Sequence, residues 1–182
     1  MLAFSGKAAF GASQGHILSP LIDIGTKGNF QSDARYPIVL CMTAQKTQAS
    51  CGEAFAGIDV AMQTIGTEKL RPILLMPNVA DQANPKDLTN LILATTEYKR
   101  LGFTILTGDT RTMRNLDQAL GGNVFNVNGE GKFYNHSLDA FVLSPQGELI
   151  YRQPAEDLTF NASALNQIID QCPIKLFGIC LG

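Results

Sequence analysis

Three short apolar runs, separated by stretches of helical spacing, constrain this chain more than any other feature. The runs are Tyr36-Pro37-Ile38-Val39-Leu40-Cys41-Met42, Ile73-Leu74-Leu75-Met76 and Phe103-Thr104-Ile105-Leu106. Strands with one wet face alternate polar and apolar, whereas strands covered on both faces read as continuous apolar runs, the habit of parallel sheets. Between the first two runs, Phe55, Ile58, Val60-Ala61-Met62 and Ile65 recur at helical spacing up to Gly66. After Pro77, Asn84-Pro85 reads as an N-cap and first helical residue, with Leu88, Leu91-Ile92 and Thr95 on one face to about Lys99. The third run turns at Thr107-Gly108-Asp109 into a helix bearing Met113, Leu116 and Leu120, ended by Gly121-Gly122. Strand–helix alternation of this kind requires crossover connections and a largely parallel sheet.

Two hairpins frame that unit. Leu21-Ile22-Asp23-Ile24 and Asn29-Phe30-Gln31 flank Gly25-Thr26-Lys27-Gly28, and Asp139 to Leu143 and Glu148 to Arg152 flank Ser144-Pro145-Gln146-Gly147. The polar stretch from Asn123 to Asn135 reads as a loop with turn signals, and a last helix covers about Ala162 to Ile169. The fold class is α/β, with a central sheet, an N-terminal β-hairpin extension and a closing antiparallel hairpin. Residues 1–20, rich in Gly, Ala and Ser, read as a flexible arm, 21–172 as the domain and 173–182 as a tail.

Composition narrows the function. With 14 Lys and Arg against 16 Asp and Glu the net charge is −2, so no basic surplus is present to bind phosphate, and nucleic acid is not an expected partner. The longest apolar run, Tyr36 to Met42, is seven residues, against the roughly 20 of a bilayer span, so no membrane span is expected within these residues. Met1-Leu2-Ala3-Phe4 passes at once into Ser5-Gly6-Lys7, without the apolar core of a secretory signal.

Two His and four Cys are the scarce reactive groups. Cys51 follows a buried strand and a loop and is expected to open a helix. The unpaired N–H groups and partial positive charge there stabilise a thiolate and favour nucleophilic or metal-binding chemistry. Gly52 leaves room for approach to the sulfur. His136 stands in the polar segment just before the closing hairpin. Cys41 lies inside the first buried strand and reads as core. Cys172 and Cys180 pair, stay reduced or reach the active loop; their spacing does not choose. His16, in the arm, reads as exposed.

The segment from Asn135-His136-Ser137 through Ser144-Pro145-Gln146-Gly147 to Ile150 resembles the His–strand–turn–strand hairpin of the Sco/SenC proteins. These are thioredoxin-fold copper proteins associated with assembly of the copper centre of cytochrome c oxidase. Phe103-Thr104-Ile105-Leu106-Thr107-Gly108 is similar to the family's strand ending in Leu-Thr-Gly, and Tyr36 to Leu40 to its strand before the active loop. The resemblance spans about residues 20–155. It implies a thioredoxin-like sheet and a copper site of a Cys-x-x-x-Cys pair and a His. Cys51 matches the second Cys and His136 the His; the first Cys position holds Thr47, left as an auxiliary group. The family's acidic residue after the second strand is matched only by a displaced Asp81. Cu(I) favours soft thiolates, so one thiolate and one imidazole beside a hydroxyl make a weaker, more open site. The resemblance further implies a copper-bearing oxidase subunit or a thiol protein as partner. It also implies an extracytoplasmic, membrane-tethered location, although a cytoplasmic one fits the same residues.

Two other readings fit. Ala49-Ser50-Cys51-Gly52 is similar to the peroxidatic loop of glutathione peroxidases, and a single thiolate can reduce peroxide through a sulfenic acid. The chain has no Trp, however, and lacks that family's other partners. Alternatively, loss of one cysteine leaves a thioredoxin fold retained as a non-catalytic binding module.

Overall fold

A computed structural model describes residues 16–41, 48–77, 102–127, 133–137, 139–154, 162–170, 175–176 and 179–180. In chain order the elements are β1 (Ile22–Asp23), β2 (Gly28–Asn29), β3 (Tyr36–Cys41), α1 (Gln48–Ile65), β4 (Leu70–Pro77), β5 (Thr104–Gly108) and α2 (Thr110–Ala119). There follow β6 (Phe125–Val127), β7 (Phe133–His136), β8 (Ala140–Leu143), β9 (Leu149–Gln153), α3 (Ala162–Asp170), β10 (Lys175–Leu176) and β11 (Ile179–Cys180). The helix read over 84–99 lies outside the described residues.

Seven strands form one sheet in the order β2-β1-β5-β4-β3-β8-β9. The three apolar runs are its parallel centre, with Val39 opposite Ile73 and Ile73 opposite Thr104. The first hairpin flanks β5 and the closing hairpin flanks β3, both antiparallel. This is the α/β sheet expected from the sequence, with a hairpin at each edge.

The two-residue period of the strands sorts their side chains into two cores. Ile38, Leu40, Leu74, Met76, Ile105 and Val142 face α1 and α3, which contribute Phe55, Ile58, Ala61, Leu165 and Ile169. Val39, Cys41, Ile73, Leu75, Leu106 and Phe141 face α2, with its Met113 and Leu116 and the capping Leu120. Phe55 packs edge-on against Phe103 at a centroid distance of 5.4 Å. Fully burying a side chain of this size contributes about 1.5–3 kcal/mol, so coverage on both faces explains why the central strands carry no polar alternation.

Two expectations change here. The segment around Asn123 to Asn135 is not all loop: β6 and β7 pair into a small antiparallel sheet of their own. The pairing is local, and Val124 and Phe125 are the residues that anchor it in the α2-side core. His16 is not exposed but buried, at 8%. Leu18 and Leu21, both fully buried, carry residues 16–21 down onto the sheet. The apolar side chains of that segment, masked by its Gly- and Ser-rich surroundings, outweigh its composition.

Candidate metal and thiol site

The position of Cys51 follows from the connection after β3. A helix joining two adjacent parallel strands must run back along the sheet, so α1 begins at the edge where β3 ends. Cys51 is the fourth residue of α1. The helix starts at Gln48, three residues earlier than expected, because Gln48, Ala49 and Ser50 include neither Pro nor Gly to stop it. Cys51 therefore closes the first turn rather than opening it.

The closing hairpin returns to the same edge. β8 runs antiparallel to β3, with Ile38 opposite Val142 and Val39 opposite Phe141, so the N-terminal end of β8 lies beside the C-terminal end of β3. His136 is the last residue of β7, four residues before β8 begins. It is thus a strand residue, paired in register with Phe125, not a loop residue as expected. The topology brings the start of α1 and the end of β7 to one end of the sheet.

The backbone at His136 is held from the α2 side. The Ser137 N–H donates to the Val124 carbonyl at 2.8 Å. The Asp117 carboxylate, near the end of α2, accepts from the Val124 and Phe125 N–H groups at 2.7 and 3.0 Å. These bonds form a continuous path from α2 through β6 to His136. Immediately downstream, buried Asp139 accepts from Arg152 Nε at 2.7 Å, and the Arg152 guanidinium lies 5.4 Å from the Phe141 ring centroid. That pair fixes the entrance to β8. Sequence reasoning passed over Asp117, Asp139 and Arg152. An acidic residue near a helix C-terminus, where the dipole disfavours it, was the available signal for the first.

Cys41 is core, 3% exposed among Val39, Leu75 and Phe141. Cys180 lies in β11, its backbone opposite Lys175. Thr47, Asp81 and Cys172 lie outside the described residues. Among the described residues, no three His, Cys, Asp or Glu side chains gather as a metal site. The Ser137 hydroxyl oxygen is buried without a hydrogen-bond partner there. No helix among the described residues is long and apolar enough to cross a membrane.

No protein-family model matches the sequence, and no curated protein matches it. Solved structures do match, and together with the sheet order they define the fold as thioredoxin-like. The chain is similar to copper-bound ScoI of Arabidopsis thaliana, with 12% identity and a TM-score of 0.59, covering 83% of this chain and 95% of that one. Copper-bound yeast Sco1 matches at 14% identity and a TM-score of 0.58, covering 87% and 93%. An uncharacterized thioredoxin-like protein from Porphyromonas gingivalis matches at 11% identity and a TM-score of 0.50, covering 86% and 93%. The resemblance to Sco proteins noted in the sequence is thus matched by a likeness of fold.

Proposed function

We propose that this protein is a Sco-like copper-binding or thiol-redox protein acting in respiratory oxidase assembly, with Cys51 and His136 as its working pair. The observation that carries the reading is topological: α1 follows the end of β3, and β8, which begins four residues after His136, starts beside that same strand end. The thioredoxin-like fold, shared with two copper-bound Sco structures, supports it.

The donor chemistry fits Cu(I) in kind but not in number. A Cys51 thiolate and a His136 imidazole are donors that Cu(I) accepts, whereas Thr47 offers only a hard hydroxyl. The proposed site therefore binds copper more weakly than a two-thiolate site and releases it more readily, which suits cargo held for transfer. Its partner would be a copper-accepting oxidase subunit or a thiol protein, met outside the cytoplasm.

The test is a Cu(I) competition titration under reducing conditions on the wild type, Cys51→Ser and His136→Ala. One-to-one binding abolished in Cys51→Ser and lowered at least tenfold in His136→Ala is the expected result, a tenfold loss being about 1.4 kcal/mol of binding free energy. Absence of specific binding by the wild type would overturn the copper assignment. Sulfenic acid trapping at Cys51 would then separate a peroxide-reducing thiol from a binding module that tolerates Cys51→Ser.

A further inference from the structure

Between the β8–β9 turn and β1, the turn made by residues 16–21 is closed by its own hydrogen bonds. Ser19 N–H donates to the His16 carbonyl at 2.8 Å, and Leu21 N–H to the Leu18 carbonyl at 3.0 Å. The Leu18 N–H donates to His16 Nδ1 at 3.2 Å. Nδ1 is therefore an acceptor, which leaves the imidazole uncharged with its proton on Nε2. Nε2 is buried with no hydrogen-bond partner among the described residues.

Among the described residues, the groups around the ring disfavour a positive imidazolium. The Phe30 ring stands 5.3 Å from the His16 ring, and the Arg71 guanidinium of β4 lies 4.7 Å from the Phe30 centroid. Burial and the Arg71 charge both hold the His16 titration below its ordinary range. Asp33, the nearby acid in the segment before β3, is already engaged by Arg35 at 2.7 Å and by Arg71 at 3.3 Å. Asp23 of β1 acts on Arg71, and Glu148 follows Gly147 in the β8–β9 turn. Of these charged groups, Arg71 is the one that bears on the imidazole.

The β8–β9 turn packs directly against His16. Gly147 sits at φ +90°, and a Cβ there would stand 2.8 Å from the Ile17 nitrogen and 2.9 Å from His16 Cα and Cγ.

We propose that His16 is an acid-sensitive latch: uncharged, it closes the 16–21 turn onto the sheet, and proton uptake at Nδ1 breaks the bond to Leu18 and releases the turn. Release uncovers Leu18, Leu21 and the flank of Phe30 at the β1 and β5 side of the sheet. The device is independent of the copper reading, because none of its residues belongs to the Cys51–His136 pair or to the Asp117 and Asp139–Arg152 frame around it.

Linkage gives the size of the effect. A group whose titration is lowered in the closed state keeps that state closed above its ordinary value and weakens it as pH falls. With an ordinary open-state value of 6.5, the opening constant rises by at most about thirtyfold between pH 7.5 and 5.0, the limit being a closed state that takes up no proton.

The experiment is amide hydrogen exchange on the full chain at those two pH values, each rate divided by its intrinsic rate. The amides of β3 serve as reference for global opening. Protection of Leu18, Leu21 and Phe30 should fall ten- to thirtyfold relative to β3 in the wild type. It should stay level in His16→Asn, whose side-chain oxygen can still accept from Leu18 N–H in an Asx turn. Level protection in the wild type, or an equal fall in His16→Asn, overturns the latch. Should His16→Asn fail to fold, the wild-type imidazole ¹⁵N shifts decide. Unprotonated Nδ1 at pH 7.5, with protection lost in step with its titration, supports the latch; titration at or above pH 6.5 refutes it.

Discussion

The carboxylate of Asp117 is the brace on which the position of His136 depends, and its removal is a quantitative test of that reasoning. Asp117 lies in the last turn of α2, where a negative charge opposes the helix dipole at a cost of about 0.3–1 kcal/mol. Its compensation is two N–H donors, Val124 at 2.7 Å and Phe125 at 3.0 Å, on residues that are 0% and 5% exposed. Hydrogen bonds to a charged acceptor contribute about 1.5–3 kcal/mol each, and a buried donor left unpaired carries a desolvation penalty of about 1–3 kcal/mol. Asp117→Ala removes both bonds and also the unfavourable dipole interaction. Partial hydration of the freed donors reduces the loss further, and the net expectation is about 2–4 kcal/mol of lost stability.

Asp117→Asn keeps an acceptor oxygen without the charge and should cost roughly half as much. Urea unfolding of the three proteins, with unchanged slopes, gives the stability differences directly. Hydrogen exchange locates the effect: the Val124, Phe125 and Ser137 amides should lose protection before those of β3. A loss below about 0.5 kcal/mol in Asp117→Ala, the scatter of ordinary surface substitutions, would refute the brace. So would undiminished protection at Ser137.

Arg152→Met should destabilise by about 2–4 kcal/mol, because it leaves the buried Asp139 carboxylate without its guanidinium; urea unfolding measures it, and Asp139→Asn in the same background should recover part of the loss. Gly147→Ala should cost about 2–3 kcal/mol, since φ of +90° and the 2.8 Å approach to Ile17 both oppose a Cβ; a drop in thermal midpoint with an unchanged β8–β9 register checks it. Cys41, 3% exposed, should resist thiol reagents in the native protein and react only as denaturant opens the core, which mass spectrometry of labelled peptides reports. In acid, Asp33, held below its ordinary range chiefly by its hydrogen bond to Arg35, and Asp109, lowered by the Thr112 N–H it caps, both contribute stability that is intact above about pH 4 and lost as pH falls further. Unfolding curves from pH 5 to 2.5 should show a shallower decline in Asp33→Asn and in Asp109→Asn.

What could be read from the sequence follows the distance over which each feature is determined. The central strands were legible because burial on both faces leaves a mark in consecutive residues, as Ile38 to Cys41 and Ile73 to Met76 show. The two hairpins were legible because their turns are local chemistry: Asp23 accepts from Gly25 N–H at 2.7 Å, and Ser144 accepts from Gly147 N–H at 2.9 Å. The β6–β7 pair was not, since its anchor is a carboxylate seven residues upstream on another element. His16 was misread for the same reason: Phe30, Arg71 and Gly147, which bury or charge its surroundings, come from three distant parts of the chain. The candidate site divides along this line. Cys51 and His136 could be named from residue type, neighbouring strands and the Sco resemblance, but the strand character of His136 depends on its pairing with Phe125, which Asp117 of α2 holds. Asp117 and the Asp139–Arg152 pair hold the frame around His136, and on the proposed reading Thr47 changes the donor set and not these bonds. A thioredoxin-like sheet with a cysteine in the first turn of α1 is therefore a coherent frame, and the proposed copper reading rests on how well one thiolate and one imidazole would hold a soft ion.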